Sequence, residues 1–275
     1  MYSSFAMNPL FLNLAALAAL IPAALLPHRG AGTGDDVRDL GFWAVTAAAT
    51  GGTVAWTWTI FASGWQTGIA PSLWITISLS FVLFLALSAM SAALARLLAV
   101  FGPYMLVLGA LATLWAQVPA RAQPGSVSGA WLNLHIGISV TTYALVTLAA
   151  MAALAVYLQE RALKARSPNR LTAILPSVSD GERLQLNLLT ASAVVLGLGL
   201  ATGMVIEYME TGSPLAFTHK TLLSMLAFVV ILGLLVAHRL SGVAGRRAAR
   251  ALLLAYLLLT LGYPGVKLVT DVIIG

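Results

Sequence analysis

Apolar residues along this chain fall in long unbroken runs, not in the two-residue alternation of half-buried strands or the narrow stripe of a soluble helix. A helix that crosses the hydrocarbon core of a bilayer needs about 20 predominantly apolar residues. Runs of that kind lie near 8–27, 40–62, 71–95, 97–119, 130–158, 184–208, 218–240 and 248–271. The pattern predicts an all-α, polytopic membrane protein with eight transmembrane helices. Residues 1–129 carry the first four helices and 130–275 the last four, as halves of one membrane domain. Five connections are rich in Gly, Pro or charge, at 28–39, 63–70, 119–128, 159–183 and 210–214. Only 159–183 is long enough to hold a small element outside the bilayer. No basic region precedes the first apolar run, as it would in a signal peptide, so that run is read as a retained helix.

Composition agrees with the pattern and narrows the chemistry. Of the 275 residues, 60% belong to the hydrophobic set and 9% are charged, against about 25% in a soluble domain. There is no cysteine, which excludes disulfides, Fe–S ligation and thiolate metal sites. The net charge of +6 follows membrane topology rather than nucleic-acid binding. Twelve of the 15 Lys and Arg residues fall in alternate connections, from Arg29, Arg38 and Arg96 to Arg246, Arg247 and Arg250. The opposite side holds only Arg121, Lys220 and Lys267. Cytoplasmic connections carry the excess of such residues, so both termini are expected on the non-cytoplasmic side. No nucleophile with an adjacent base, phosphate loop or catalytic carboxylate pair is visible, and a non-enzymatic role is expected.

Ionisable groups at membrane depth are costly, and each is a candidate for function. The four histidines are the only plausible ligand set. His135 lies about one turn into the fifth run and His219 opens the seventh, both toward the outer face. His28 ends the first run and His238 closes the seventh, both toward the inner face. His219 and His238 are separated along one helix by about 28 Å and cannot share a ligand. The possible sets are an outer pair, His135 with His219, and an inner pair, His28 with His238. Imidazole pairs without thiolate or carboxylate partners suit haem iron better than structural zinc, which takes four ligands.

On the fifth helix Trp131, His135, Ser139 and Thr142 share one stripe, with Tyr143 beside it. It could supply an iron ligand, a hydroxyl that fixes the imidazole tautomer, and an aromatic wall. Equally, it could be an interfacial Trp with a histidine bonded to a neighbouring helix. The His28-Arg29 and His238-Arg239 pairs also read as ordinary cytoplasmic flanks. Lys220 and Arg121 could meet haem propionates or simply snorkel at helix ends. Glu207 and Glu210 could line a cation pathway or sit in a solvated loop. Gly102-Pro103 signals a kink, and Gly199 with Gly203 forms a small-residue face for close helix packing.

Trp131-Leu-Asn-Leu-His135, followed by Tyr143-Ala144 and Tyr157-Leu-Gln, makes one informative segment. A second runs from Thr218-His219-Lys220-Thr221 through Ala237-His238-Arg239 and Gly245-Arg246-Arg247-Ala248 to Gly262-Tyr263 and Gly265-Val266-Lys267. Together these segments resemble the CcsA type of the cytochrome c assembly family, membrane proteins that handle haem, over roughly 130–272. The N-terminal half is similar only in general character. The resemblance implies that His135 is an outer-side haem ligand and that His238 is the histidine near the inner end of the penultimate helix. Haem-ligating members carry a W-x-W-D-P-K-E run where this chain reads Phe217-Thr-His219-Lys220-Thr221. A further outer-loop histidine after their last span has no counterpart within these 275 residues. Where some members read Ser-Gly-His after the second span, this chain has Ser63-Gly64-Trp65. The chain is therefore most similar to the HemX-like branch, without the loop that presents haem to apocytochrome thiols.

The resemblance thus implies a membrane protein that binds haem b, in haem trafficking, cofactor insertion or regulation of haem supply, in a bacterial inner membrane. It makes His219 the natural partner of His135 on the haem iron, and the lipid bilayer, haem and other membrane subunits its partners. An accessory subunit of a respiratory complex and a small-molecule or ion transporter are the alternatives. A visible spectrum of the purified protein discriminates among the three.

Overall fold

The computed structural model describes residues 9–28, 37–62, 64, 66–117, 121–122, 129–213, 218–243 and 245–265. Each of the eight apolar runs is helical: α1 (Pro9–Leu25), α2 (Leu40–Phe61), α3 (Ile69–Met90), α5 (Leu98–Leu114), α6 (Gly129–Ala165), α8 (Val178–Thr211), α9 (His219–Ser241) and α10 (Gly245–Thr260). Two short helices, α4 (Ala92–Ala95) and α7 (Arg170–Ile174), lie in connections. The second of them is the small element for which 159–183 had room. Four helices, in α3, α6, α8 and α9, are long and apolar enough to cross a membrane.

Helix ends follow local chemistry rather than hydropathy. The fifth run ends at 158, yet α6 continues to Ala165 because Glu160, Arg161, Ala162 and Lys164 are good helix formers. Glu160 and Lys164 also pair at 3.9 Å across one turn. Starts are set by capping side chains: Asp39 accepts from the Phe42 amide, Ser177 from Asp180, and Thr218 from Thr221. Gly212 and Gly242 close α8 and α9 in the left-handed conformation at φ 73° and 62°.

Gly102-Pro103, the kink signal of the fourth run, lies inside α5. Gly102 serves close approach: a Cβ there would stand 2.4 Å from the Ala23 carbonyl oxygen of α1. One departure from an all-helical chain is a two-residue ribbon, in which β1 (Gln66–Thr67) pairs antiparallel with β2 (Arg121–Ala122). It ties the α2–α3 connection to the α5–α6 connection.

Helices α1, α2, α3 and α5 pack among themselves, as do α6, α8, α9 and α10; α3 meets α6 between the groups. The core of the first group is aromatic: Phe84 stacks on Phe101 with centroids 4.7 Å apart, and Phe81 meets Phe101 edge-on at 5.0 Å. A hydroxyl bond also joins the groups, and two more tie α6 to α10 within the second. Tyr104 of α5 bonds Tyr256 of α10, Thr147 of α6 reaches the Tyr256 hydroxyl at 3.2 Å, and Tyr143 of α6 meets Thr260 of α10 at 2.9 Å. Helix α6 is the most enclosed of the long helices, with 78% of its apolar window buried, while α9 has 17% and faces outward along most of its length.

Candidate functional site

The hydrogen bonds sort the helix ends. His135 near the start of α6 bonds Thr202 toward the end of α8, and Tyr143 bonds Thr260 at the end of α10. At the opposite end, Glu182 near the start of α8 accepts from the Gly245 amide that starts α10, at 2.8 Å. A Cβ on Gly245 would collide with Glu160 near the end of α6. Hence the beginning of α6 and the end of α8 share one end of the bundle with the beginning of α9, where His219 is the first residue. His238, in the last turn of α9, lies at the other end, and the turn Leu26–His28 approaches α7 there. The side chains of His28, Arg121, His219, Lys220 and Glu210 lie outside the described residues.

His135 is half-buried against α8. Its Nδ1 lies 3.0 Å from the Thr202 hydroxyl. The Thr202 hydroxyl has a single proton, within reach of its own helix carbonyls at Leu198, 3.0 Å, and Gly199, 3.1 Å. With that proton given to a carbonyl, Thr202 Oγ1 accepts, and His135 Nδ1 donates. The lone pair is then on Nε2, which has no hydrogen-bond partner among the described residues. This is the arrangement of a metal-ligating histidine, whose second nitrogen donates to a neighbouring oxygen.

The ring fits because α8 is small where it passes. A Cβ on Gly203 would stand 3.1 Å from His135 Cε1, and one on Gly199 would stand 3.4 Å from Ile138 Cγ2. The Gly199–Gly203 face is therefore both a helix-packing surface and the seat of the imidazole. The hydroxyl beside the ring comes from α8, not from the fifth helix's own stripe. Ser139 is exposed, and Thr142 is buried and bonds its own Ile138 carbonyl at 2.9 Å. Thr202 is the residue that sequence reading missed. Its only signal is its place between the two glycines.

The remaining candidates divide. Trp131 is 42% exposed, one turn before His135, with Leu134 exposed beside it, so an apolar surface borders the imidazole. Tyr143 is buried and occupied by Thr260 and Tyr256, with its ring centroid 5.6 Å from that of Tyr256. It lies two helical turns from His135. Glu207 is half-buried, one turn beyond Gly203. At the other end, His238 Nδ1 lies 2.9 Å from the Val243 carbonyl. A carbonyl only accepts, so here too Nδ1 donates, and Nε2 has no hydrogen-bond partner among the described residues. The Arg246 guanidinium lies over the Tyr157 ring at 5.2 Å nearby in sequence. Among the described residues no group of three or more His, Asp or Glu could hold a metal ion.

Against known proteins, the family model described as "Cytochrome C assembly protein" matches residues 41–274. A protein of Azospirillum brasilense, described as an uncharacterized 28.8 kDa protein in the nifR3-like 5′ region, is 53% identical over 264 residues. That match covers 96% of this chain and 97% of the relative. No solved structure matches the chain.

Proposed function

From the premise that the chain belongs to the cytochrome c assembly protein family, we propose that it is a HemX-like membrane protein that binds haem b at the outer end of its C-terminal helices. In this reading it crosses a bacterial inner membrane eight times with both termini outside. It serves haem trafficking, cofactor insertion or regulation of haem supply, alongside other membrane subunits of cytochrome assembly. The observation that carries the proposal is the His135 imidazole, seated on Gly203 and oriented by Thr202 with Nε2 free.

The donor set fits haem. A porphyrin supplies four nitrogens, and the protein needs to add only one or two imidazoles. His135 would hold the iron through one imidazole, and His219, at the same end of the bundle, would supply the second. Trp131 and Leu134 would present apolar surface to the macrocycle, and Lys220 and Arg121 would pair with its propionates. Bound haem supplies an iron whose charge changes on reduction and whose spin state reports its axial ligands. His238 with His28 is a second, inner position of the same chemistry.

The test is the visible spectrum of the purified protein and of three alanine variants. A low-spin, bis-imidazole Soret and α/β pattern is expected. His135→Ala and His219→Ala should each shift the iron toward high spin and lower haem retention, with His238→Ala nearly silent. A protein that stays colourless after haem supplementation overturns the proposal. Bleaching by His238→Ala but not by His219→Ala would move the haem to the inner position.

A further inference from the structure

A cavity of about 450 Å³ opens at the end of the bundle opposite His135, lined by Ala92, Ala93 and Arg96 from the α4 segment, Gln159 of α6, Thr172, Ala173 and Leu175 of α7, and Ser177 and Asp180 of α8. That volume is within the range of about 300–1,000 Å³ typical of small-molecule sites. Its depth in the membrane follows from its walls. Ala92 lies two residues beyond the end of α3, Asp180 is in the first turn of α8, and Gln159 begins the polar extension of α6. All three are where membrane-capable helices leave the apolar zone, so the cavity lies at headgroup level.

Its charges are opposite and unjoined. Arg96 has no ion-pair or hydrogen-bond partner for its guanidinium among the described residues, although Asp180 lines the same cavity. Asp180 Oδ2 accepts from Ser177 Oγ at 2.7 Å. Two amides of the α8 first turn are already used, Asp180 by Ser177 Oγ and Gly181 by the Ser177 carbonyl. Arg96 and Asp180 are the two charged side chains that line the cavity.

The walls are also held in place. The Gln159 side-chain amide donates to the carbonyls of Thr172 at 2.8 Å and Pro176 at 3.1 Å, which pins the α7 hairpin to α6. Asn169 and Thr172 form a reciprocal cap on α7. Ser91 caps α4 through the Leu94 amide, and the Arg96 amide is bonded to the Ala92 and Leu94 carbonyls. These contacts fix the backbone that carries both charges, so a ligand pays little to order it.

We infer that this cavity binds the headgroup of a zwitterionic phospholipid, with its phosphate on Arg96 and its primary ammonium on Asp180. Arginine suits a phosphate through its planar fork of donors, and a carboxylate suits an ammonium that still carries N–H donors. An acidic headgroup leaves Asp180 facing a negative charge, and a trimethylammonium offers it no donor. Met90, 84% exposed at the end of α3, stands two residues before Ala92 of the cavity wall and offers apolar surface to acyl chains. The inference does not depend on the haem reading.

The experiment is native mass spectrometry of the detergent-purified, delipidated full chain titrated with phosphatidylethanolamine, phosphatidylglycerol, phosphatidylcholine, free phosphoethanolamine and inorganic phosphate. The wild-type protein should retain one phosphatidylethanolamine at least tenfold more tightly than either other lipid. Arg96→Gln should weaken binding of phosphatidylethanolamine by tenfold or more, and Arg96→Lys should keep it within about threefold. Asp180→Asn should reverse the preference in favour of phosphatidylglycerol. Equal affinity for the three lipids, wild-type affinity for phosphatidylethanolamine in Arg96→Gln, wild-type preference in Asp180→Asn, or equally tight binding of free phosphate or phosphoethanolamine overturns the inference. If Arg96→Gln fails to fold, the Arg96→Lys and Asp180→Asn pair decides by the same readout.

Discussion

Replacing Thr202 by Val isolates the contact that orients His135, because the two side chains have nearly the same shape and only the hydroxyl is lost. In the variant the Nδ1 proton loses its 3.0 Å acceptor. A buried donor left unpaired costs about 1–3 kcal/mol. The ring here is half-buried, so the lower half of that range applies. At about 1.4 kcal/mol per factor of ten, haem affinity should fall roughly tenfold. Loss of a neighbour that orients a metal-ligating histidine commonly costs about 10–100-fold, which is consistent. Thr202→Val should also lower the basicity of Nε2 and raise the reduction potential, while Thr202→Ser should restore both values. The assay is a haem titration by absorbance with a potentiometric titration of the same samples, and a circular dichroism melt to show that the fold is intact. If Thr202→Val retains haem within twofold and at an unchanged potential, while His135→Ala loses it, the hydroxyl does not hold the ligand and the orientation argument fails.

Gly102→Ala should destabilise the protein by about 1–3 kcal/mol or more, because the new methyl would meet the Ala23 backbone at 2.4 Å and backbone cannot turn aside. Gly109→Ala, where the clash at 2.8 Å is with the tip of the Leu20 side chain, should cost clearly less in the same thermal melt. Tyr256→Phe removes bonds to Tyr104 and Thr147 and should lower stability by about 1–2 kcal/mol. A double-mutant cycle with Tyr104→Phe should show coupling, and additive effects would mean that the two rings act independently. A reporter fused after residue 275 should read as external and one inserted at residue 167 as cytoplasmic; the reverse would exchange the compartments faced by the two histidine pairs.

The sequence by itself determined which segments are helical. Each long apolar run needs its backbone satisfied internally in a bilayer, and the helix is the structure that does so within one segment. Capping residues such as Asp39, Ser177 and Thr218 mark the starts as local chemistry, and the spacing of His219 and His238 already divides the histidines into two ends. Only the tertiary structure decided what stands beside His135, because Thr202 is 67 residues away in the chain and no local pattern joins them. The glycine that receives the imidazole and the glycine in α5 that was read as a kink were visible as residues but not as contacts. Tyr143 shows the same limit, since its neighbour in space is Thr260 of α10, 117 residues on, and not the histidine two turns earlier. Hydropathy and capping act within a helical turn or two, whereas a ligand's orientation and a cavity's charge depend on which helices pack together, and packing joins residues without regard to their distance in sequence.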